Sequence, residues 1–360
     1  SLSEQRKEEY KQMEGVSTVK RVLAVLLAVA VALSTVLFAT GCSSDSGERS
    51  SNSEPLTVVF LPDNSSADME ASRDAIAEII KNATGRDVEI MTTTDYNVAI
   101  EALVSGQAQI GYLGAEGYVQ ANEKNDAVQC AFTASDANGT LDEACYYSRI
   151  CVKTENADQY ASGDIYSIDN IKGKSFSFVS ATSTSGFAIP SSSIVEKFGL
   201  ESSDELLEDG TFFSSVLFGD SHQGSAVNLL SGNADVAAFD DVDVDMYFDL
   251  VSGEPNTVGA VYQVKDDAAA PFDTVRGEQF TIIGITPVLN APFCYNTETL
   301  SEDEQQAITD AMTSDDTAAN TAIFYDGEDE NATGLVEKES DQTKFVSVED
   351  SWYDPIRTLG

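Results

Sequence analysis

Apolar and polar positions beyond residue 55 alternate between a period typical of strands and one typical of helices. The run 56–61 is apolar and rich in β-branched residues, which predicts a buried strand. A helical pattern follows over 67–81, where Ser65 and Asp68 have the spacing of a capping box. The same alternation predicts strands over 88–91 and 108–113 and a helix over 96–104.

The alternation continues in the second half of the chain. Longer strands are predicted over 128–133 and 146–153, joined by a polar loop. Alternating strands and helices predict βαβ units and a mostly parallel sheet. The later elements are strands over 175–179, 211–217, 235–239 and 280–285, helices over 187–198 and 225–230, and a helix capped by Ser301 and Glu304 that runs to 312.

Two such α/β units with a return segment predict two lobes joined by crossing strands. The first lobe is expected to contain 56–152 and 281–360, and the second 153–280. Ligands of sheets of this kind lie beyond the carboxyl ends of the strands, where helix N-termini converge. The sequence therefore predicts an α/β protein with a ligand cleft between its lobes.

The N-terminal segment has the pattern of a secretory signal. Two basic residues precede an apolar run over 22–38, which small residues connect to Cys42. These small residues resemble the lipobox of bacterial lipoproteins, which implies that 1–41 is a signal peptide and that Cys42 is acylated. A transmembrane anchor is the alternative, because about 20 apolar residues span a bilayer. The Ser-rich stretch 42–55 predicts a flexible tether, and both alternatives place the remainder outside the cell.

Composition narrows the classes of function. The 360 residues include 61 Asp and Glu against 20 Lys and Arg, a formal net charge of −41. Nucleic-acid binding is therefore excluded, because phosphate backbones require clustered basic side chains. A single histidine, without a metal-ligand cluster or a nucleophile motif, argues against an enzyme and predicts neither a cofactor nor a metal.

Two strand-to-helix loops offer hydrogen-bond donors for an anion. The first contains Ser183, Thr184 and Ser185 before a predicted helix, whose free N–H groups complete a neutral cradle for an oxyanion. An N-cap within a Ser-rich loop is the alternative. The second loop, 219–225, contains His222, for which a structural role is the alternative.

Two further loops open helices of the first lobe and place tyrosines near the predicted cleft. Tyr96 begins one helix, and Tyr118 lies in the first turn of another, close to Glu116. A tyrosine offers an apolar face and one hydroxyl, which suits a cleft that closes over a small polar ligand. For any one of the 13 tyrosines, a position in the core is the alternative.

These loops and their neighbours resemble the phosphate, phosphite and phosphonate-binding proteins of ABC importers. The resemblance covers residues 56–313 and implies a type II periplasmic-binding-protein fold, in which two lobes close around a small oxyanion. The matching segments are 95–96, 101–103, 112–118, 146–148, 172–179, 183–187, 190, 221–222 and 229–239.

The resemblance also implies which residues contact the ligand. Successive strand residues face opposite sides, so only one of Tyr146 and Tyr147 is expected to reach the ligand, and Tyr146 is favoured. The implied contacts are Ser183, Thr184, Ser185 and His222 from the second lobe, Tyr96 from the first, and Tyr146 at the interlobe strand.

One departure from the family pattern concerns the recognition of a ligand amine. Members that bind an amino-phosphonate tend to have Asp where this chain has Ala291. Recognition of an ammonium group would then require Glu116, Asp240 or Asp241. The acidic run 240–245 lacks the Gly and Glu of a calcium loop, so no calcium site is predicted there.

Four cysteines besides Cys42 form an even set in an oxidising location. Four cysteines allow three connectivities. A disulfide between Cys130 and Cys145, which flank one loop, is favoured, together with one between Cys151 and Cys294. Four buried free thiols are the alternative.

The expected function is that of a lipid-anchored, extracytoplasmic solute-binding protein of an ABC importer, on the outer face of the cytoplasmic membrane. It would capture phosphonate, phosphite or phosphate as a monomer and deliver it to the permease. The expected partners are this small ligand, the permease subunits and the membrane through Cys42. A receptor for a sulfonate or another organic anion, or a ligand-sensing domain of the same fold, is the alternative.

Overall fold

The structure, a computed structural model, describes residues 54–163, 165–327, 329 and 332–359. The predicted signal peptide, the acylation of Cys42 and the tether up to residue 53 lie outside these residues. Within the described ranges, no helix combines the length and the apolar character needed to cross a bilayer.

Short strands and helices alternate along the described chain, as the sequence pattern predicts. The strands are β1 (Leu56–Phe60), β2 (Val88–Thr92), β3 (Ile110–Tyr112), β4 (Val128–Ala134), β5 (Cys145–Lys153), β6 (Ala161–Ser162), β7 (Ile165–Tyr166), β8 (Ser175–Phe178), β9 (Ser215–Phe218), β10 (Val236–Asp240), β11 (Phe248–Ser252), β12 (Val261–Val264), β13 (Gln279–Leu289), β14 (Pro292–Asn296), β15 (Phe324–Tyr325), β16 (Val336–Glu337) and β17 (Phe345–Ser347). The α-helices are α1 (Glu70–Thr84), α2 (Tyr96–Val104), α3 (Ala115–Lys124), α4 (Ile189–Phe198), α5 (His222–Leu230), α6 (Glu302–Met312), α7 (Asp315–Ala318) and α8 (Asp354–Arg357).

The first sheet combines strands from both ends of the described chain, in the order β17-β4-β14-β3-β1-β2. β2, β1 and β3 run parallel, whereas β14, β4 and β17 join antiparallel. Phenylalanine rings fill the core on one face, where Phe132 stacks on Phe293 with ring centroids 4.8 Å apart. Ile76 and Ile308 bring α1 and α6 onto the same core.

The second sheet has the order β11-β12-β13-β5-β10-β8-β9 in the described part of the chain. Only β10, β8 and β9 are mutually parallel. The prediction of a mostly parallel sheet is therefore wrong for both sheets. β11 and β12 are separated only by 253–260, which is too short for the crossover that parallel pairing requires.

β5 and β13 are the long strands that lead out of the first sheet and back into it. They pair antiparallel from Lys153 opposite Phe280 to Cys145 opposite Leu289. β4 precedes β5 in the chain and β14 follows β13, so the chain crosses between the sheets twice, side by side. The expected α/β architecture with crossing strands is confirmed. Both crossing strands pair in the second sheet, and the division into lobes at 152/153 and 280/281 stays a prediction.

Capping side chains are present at the start of α2, α5 and α6. Ser301 and Glu304 form the predicted capping box of α6. α5 begins at His222, three residues before the predicted start, because the Ser221 hydroxyl accepts the Gly224 N–H at 2.9 Å. Ser65 caps no helix, since its hydroxyl donates to the carbonyl of Leu61 at 2.8 Å. Two 3₁₀ turns precede α1 instead.

The four cysteines of the described residues are free thiols. The favoured pairs Cys130–Cys145 and Cys151–Cys294 are therefore absent from the structure. Each favoured pair would have to join the two sheets, because Cys130 and Cys294 lie on β4 and β14 and the other two cysteines lie on β5. Burial raises the pKa of the Cys130 thiol to about 11, which keeps the thiol protonated at neutral pH.

Candidate ligand-binding site

A cavity of about 360 Å³ is lined by residues that follow strands of both sheets. Asp63 follows β1, Ser183 follows β8, His222 follows β9, and Asp240 ends β10. This placement agrees with the rule that ligands bind beyond the carboxyl ends of strands. The cavity contains most of the candidate residues that the sequence pattern identified.

The turn after β8 buries three consecutive hydroxyls at the cavity wall. Ser183, Thr184 and Ser185 are each 1 to 2% exposed. Ser183 is an N-cap, because its hydroxyl accepts the Gly186 N–H at 3.0 Å. A Cβ on Gly186 would lie 2.3 Å from the Cβ of Val179, so only glycine allows the turn to pack against the end of the strand. The alternative of an N-cap in a Ser-rich loop is thus confirmed for Ser183.

Ser185 connects a tyrosine to a carboxylate. The Tyr146 hydroxyl donates to the Ser185 hydroxyl at 3.1 Å, and Ser185 donates to Asp240 Oδ2 at 3.2 Å. Thr184 makes a different contact, in which its hydroxyl accepts the Glu116 N–H at the start of α3 at 2.9 Å. The hydroxyl turn after β8 therefore contacts elements of both sheets.

The orientation of the His222 ring is determined by a backbone contact. Nδ1 accepts the Asp240 N–H at 2.9 Å, so Nδ1 has no proton in this arrangement. Nε2 then faces the hydroxyls of Ser183 and Ser185 at 3.4 Å each, and Asp240 Oδ2 at 3.3 Å. The ring is 2% exposed and directs one nitrogen towards the hydroxyl cluster.

Tyr96 lies in the cavity wall opposite this cluster, on α2. Its hydroxyl donates to Asp63 Oδ2 in a short hydrogen bond. Asp63 Oδ1 in turn accepts the backbone N–H of His222 at 2.6 Å. One carboxylate thus joins α2 of the first sheet to the N-terminus of α5.

Three carboxylates of the cavity lining lie near these hydroxyls: those of Asp63 and Asp240 are buried, and that of Asp243 is half-buried. Burial raises the pKa of Asp240 well above its usual value, and the charges of Asp241 and Asp63 add to this effect. Burial also raises the pKa of Asp243, with Asp240 and Asp63 as further causes. The hydroxyls therefore share the cavity with acidic side chains, and the raised pKa values favour the protonated, uncharged form of Asp240 and Asp243.

Asp241 belongs to a separate network on the cavity wall. It accepts the Tyr147 N–H at 2.9 Å and the Asn256 side-chain amide at 2.8 Å. Fully buried Arg149 contacts the same Asn256 and makes a bidentate pair with Asp245 at 2.6 and 2.7 Å. Arg149 thus compensates much of the negative charge in this part of the wall.

The structure separates the remaining candidates. Both Tyr146 and Tyr147 line the cavity, although only the Tyr146 hydroxyl joins the hydroxyl cluster. Glu116 and Tyr118 do not line the cavity, which corrects the expectation that they face the cleft. The Glu116 carboxylate accepts from Gln120 at 2.8 Å, and the Tyr118 hydroxyl donates to Asp350 at 2.5 Å within a core contact with Tyr353.

Asp63 and Asp243 were not among the candidates from the sequence. Asp63 follows β1 directly, and the strand-end rule applies to that loop as well as to the four loops considered above. Asp243 belongs to the acidic run 240–245, for which the sequence predicts no calcium site. Ala291 also lines the cavity, so the position at which relatives tend to have Asp faces the site.

Asp63, His222 and Asp243 each offer one ligand atom, and these atoms lie within 4.8 Å of one another. Three ligands are fewer than the six to eight oxygens that calcium takes. Nδ1 of His222 uses its lone pair to accept a backbone N–H, so in the neutral ring Nε2 has the proton and no lone pair for a metal. We therefore assign no metal to these residues.

A sequence model of the family described as "ABC transporter, phosphonate, periplasmic substrate-binding protein" matches residues 58–353. The chain belongs to this family. The match spans both sheets and every residue of the hydroxyl cluster. The expected type II fold and the family resemblance are thereby confirmed, and the family is one of transport proteins that bind their substrates outside the cytoplasm.

Curated and solved relatives agree with this assignment. The chain is 27% identical over 247 residues to the phosphate-import protein PhnD of Mycolicibacterium smegmatis, which covers 64% of this chain and 73% of that protein. A binding-protein component of an ABC phosphonate transporter from Pseudomonas aeruginosa has a similar fold, with a TM-score of 0.60, 16% identity and coverage of 85% and 86% of the two chains. PhnD1 of Prochlorococcus marinus in complex with methylphosphonate gives a TM-score of 0.58 at 15% identity, covering 85% and 96%.

Proposed function

We propose that this protein captures a small phosphorus oxyanion, phosphonate, phosphite or phosphate, in the cavity and delivers it to the permease of an ABC importer. The hydroxyls of Ser183, Thr184 and Ser185 and Nε2 of His222 are the proposed ligand contacts on one side. Tyr96 is the proposed contact on the other side, and Tyr146, whose hydroxyl donates to Ser185, is a further proposed contact beside the hydroxyls. The protein is proposed to remain at the membrane through a lipid on Cys42.

The convergence of Ser183, Ser185 and His222 Nε2 is the single observation on which this proposal depends. The two hydroxyls each lie 3.4 Å from Nε2, and all three residues are almost fully buried. Hydroxyl and N–H donors form strong hydrogen bonds with charged oxygens where water is excluded. The N-terminus of α5 adds a favourable dipole at the same place.

The buried carboxylates favour a second candidate ligand class, an amino-phosphonate. An ionised Asp240 or Asp243 repels an anion, and this repulsion is removed by a proton on the carboxyl group or by a cationic group on the ligand. The ammonium group of such a ligand would compensate the charges of Asp240 and Asp243. These two carboxylates would then take the place of the Asp that amino-phosphonate-binding members tend to have at the position of Ala291. Asp240, one of the residues expected to read an amine, lies at the hydroxyl cluster.

Calorimetric titration of the purified protein, freed of phosphate, tests both candidates. The probes are phosphite, phosphate, methylphosphonate and 2-aminoethylphosphonate, and one-to-one binding of at least one of them is expected. Ser185→Ala should weaken that binding, whereas Ser180→Ala, in the same loop but outside the cavity lining, should leave it unchanged. Absence of binding to all four probes by folded protein would refute the proposal.

Asp243→Asn separates the two ligand classes. Removal of this carboxylate should weaken binding of 2-aminoethylphosphonate and strengthen binding of methylphosphonate, because the charge attracts one ligand group and repels the other. Equal effects on both probes would refute the amino-phosphonate assignment and leave the simple oxyanion.

The anchoring proposal has its own test. Cys42→Ala in the producing bacterium should move the protein from the membrane fraction to the medium or the extracytoplasmic extract, and should abolish metabolic labelling with a fatty acid. Labelling that persists in the variant would refute acylation at Cys42.

A further inference from the structure

Asp63 is a buried charge that the proposed oxyanion contacts do not require. Its side chain is 2% exposed and lies in the loop after β1. Oδ1 accepts the His222 N–H at 2.6 Å, and Oδ2 accepts the hydroxyl proton of Tyr96. This carboxylate therefore joins a loop of the first sheet to the helix that follows β9 of the second.

Both of these donors are groups that an incoming oxyanion would otherwise take. The N–H groups at a helix N-terminus form a favourable position for an anion. Tyr96 is the residue expected to close on the ligand with its hydroxyl. A backbone N–H and a tyrosine hydroxyl each have a single proton to donate. While Asp63 accepts hydrogen bonds from both groups, neither donor is fully available to a second anion.

The charges around Asp63 do not favour its presence beside a bound anion. Asp240 and Asp243 are close enough for their charges and that of Asp63 to affect one another. Among the residues that the structure describes, no Lys or Arg forms an ion pair with Asp63. Repulsion between buried like charges is strong, because little solvent screens it.

We propose that Asp63 is a built-in competitor of the ligand, whose carboxylate occupies the His222 N–H and the Tyr96 hydroxyl until an oxyanion displaces it. This inference rests on the proposed function. The competition makes binding more specific. An anion binds only if the free energy of its own contacts is more favourable than that of the two hydrogen bonds that Asp63 loses. The residue thus determines affinity without being a contact of the bound ligand.

Titration of Asp63→Ala and Asp63→Asn with phosphite, phosphate and methylphosphonate tests this role. These probes have no cationic group, so attraction of an amine to Asp63 does not enter the result. The dissociation constant of the probe that binds best should fall about tenfold in Asp63→Ala, equivalent to about 1.4 kcal/mol. Asp63→Asn retains the shape of the side chain and should give a change of the same sign.

Asp68→Asn is the matched control. Asp68 lies five positions along the chain, accepts the Tyr247 hydroxyl at 2.7 Å and does not line the cavity. Its substitution removes the charge from a carboxylate–tyrosine contact of the same kind and should leave the dissociation constant unchanged. Equal gains in affinity from Asp68→Asn and Asp63→Asn would overturn the proposal, because they would show a general effect of net charge.

Hydrogen exchange of the His222 backbone amide, measured by NMR in the ligand-free protein, tests the hydrogen bond between this N–H and Asp63 directly. The His222 amide should exchange faster in Asp63→Ala than in the parent protein, and the best-binding oxyanion should slow it again. Unchanged exchange would overturn the proposal, as would an unchanged or weakened affinity in Asp63→Ala when the parent protein binds. Absence of binding of these three probes to either protein would refute the competitor role, and titration with 2-aminoethylphosphonate would then decide whether the proposed function stands.

Discussion

Replacement of His222 by Ala should lower ligand affinity more than any other substitution of one ring or hydroxyl in the cluster. The ring accepts the Asp240 N–H at 2.9 Å through Nδ1 and presents Nε2 to two hydroxyls at 3.4 Å. A hydrogen bond to a charged group is worth about 1.5 to 3 kcal/mol, so the dissociation constant should rise about 10- to 150-fold.

The same substitution should also destabilise the protein. Without the ring, the buried Asp240 N–H has lost its acceptor, which costs about 1 to 3 kcal/mol. Urea unfolding of the ligand-free protein measures this loss, and calorimetry with the best-binding oxyanion measures the loss of affinity. The two measurements separate the role of Nδ1 in the fold from the role of Nε2 at the ligand.

Ser221→Ala is the control for this experiment. Ser221 caps the same helix by accepting the Gly224 N–H, and loss of such a cap costs about 1 kcal/mol. It does not line the main cavity, so affinity should be preserved in this variant. A dissociation constant that is unchanged in His222→Ala, or raised equally in both variants, would refute the assignment of Nε2 to the ligand.

Three further predictions concern charge and thiols. Arg149→Met leaves the Asp245 carboxylate without its bidentate partner and should cost about 3 to 5 kcal/mol of stability in urea unfolding; a loss below 1 kcal/mol would contradict this. Burial raises the pKa of Asp243, so its contribution to stability is present at low pH and is lost as pH rises from about 4 through the raised folded value. Asp243→Asn should therefore flatten the pH dependence of unfolding, and identical profiles would exclude this carboxylate as its source. Thiol titration of the chain from residue 43 onward in denaturant should find Cys130, Cys145, Cys151 and Cys294 reactive without prior reduction; fewer reactive thiols would reveal a disulfide.

Local signals in the sequence were sufficient for most of the fold elements and for the hydroxyl cluster. Tyr96–Val104 begins and ends where the apolar period predicts, because its N-cap and its buried face are encoded within nine residues. Ser183, Ser185 and His222 were found because each follows a predicted strand, and strand ends converge in α/β sheets. The chain's own spacing thus located these residues at a cleft.

Contacts between segments that are far apart in the chain could not be predicted from these local patterns. Cys130 lies opposite Cys294 in the strand register, yet 164 positions separate them along the chain. Asp63 meets His222 across 159 positions. A carboxylate in a polar turn after a strand has the same local pattern whether it faces solvent or a buried helix N-terminus.

The sequence by itself determined the class of fold, the order of its elements, and the loops that supply hydroxyls and a histidine to the cavity. It did so because hydrophobic periodicity and capping depend on neighbours within a few residues. The tertiary structure alone decided that both sheets are mixed, that the cysteines divide between them, and that three carboxylates share the cavity with the hydroxyls. These outcomes depend on strand register and on the approach of segments that are far apart in the chain. Such approaches decide which carboxyl groups are buried, and burial raises the free energy of their charged form.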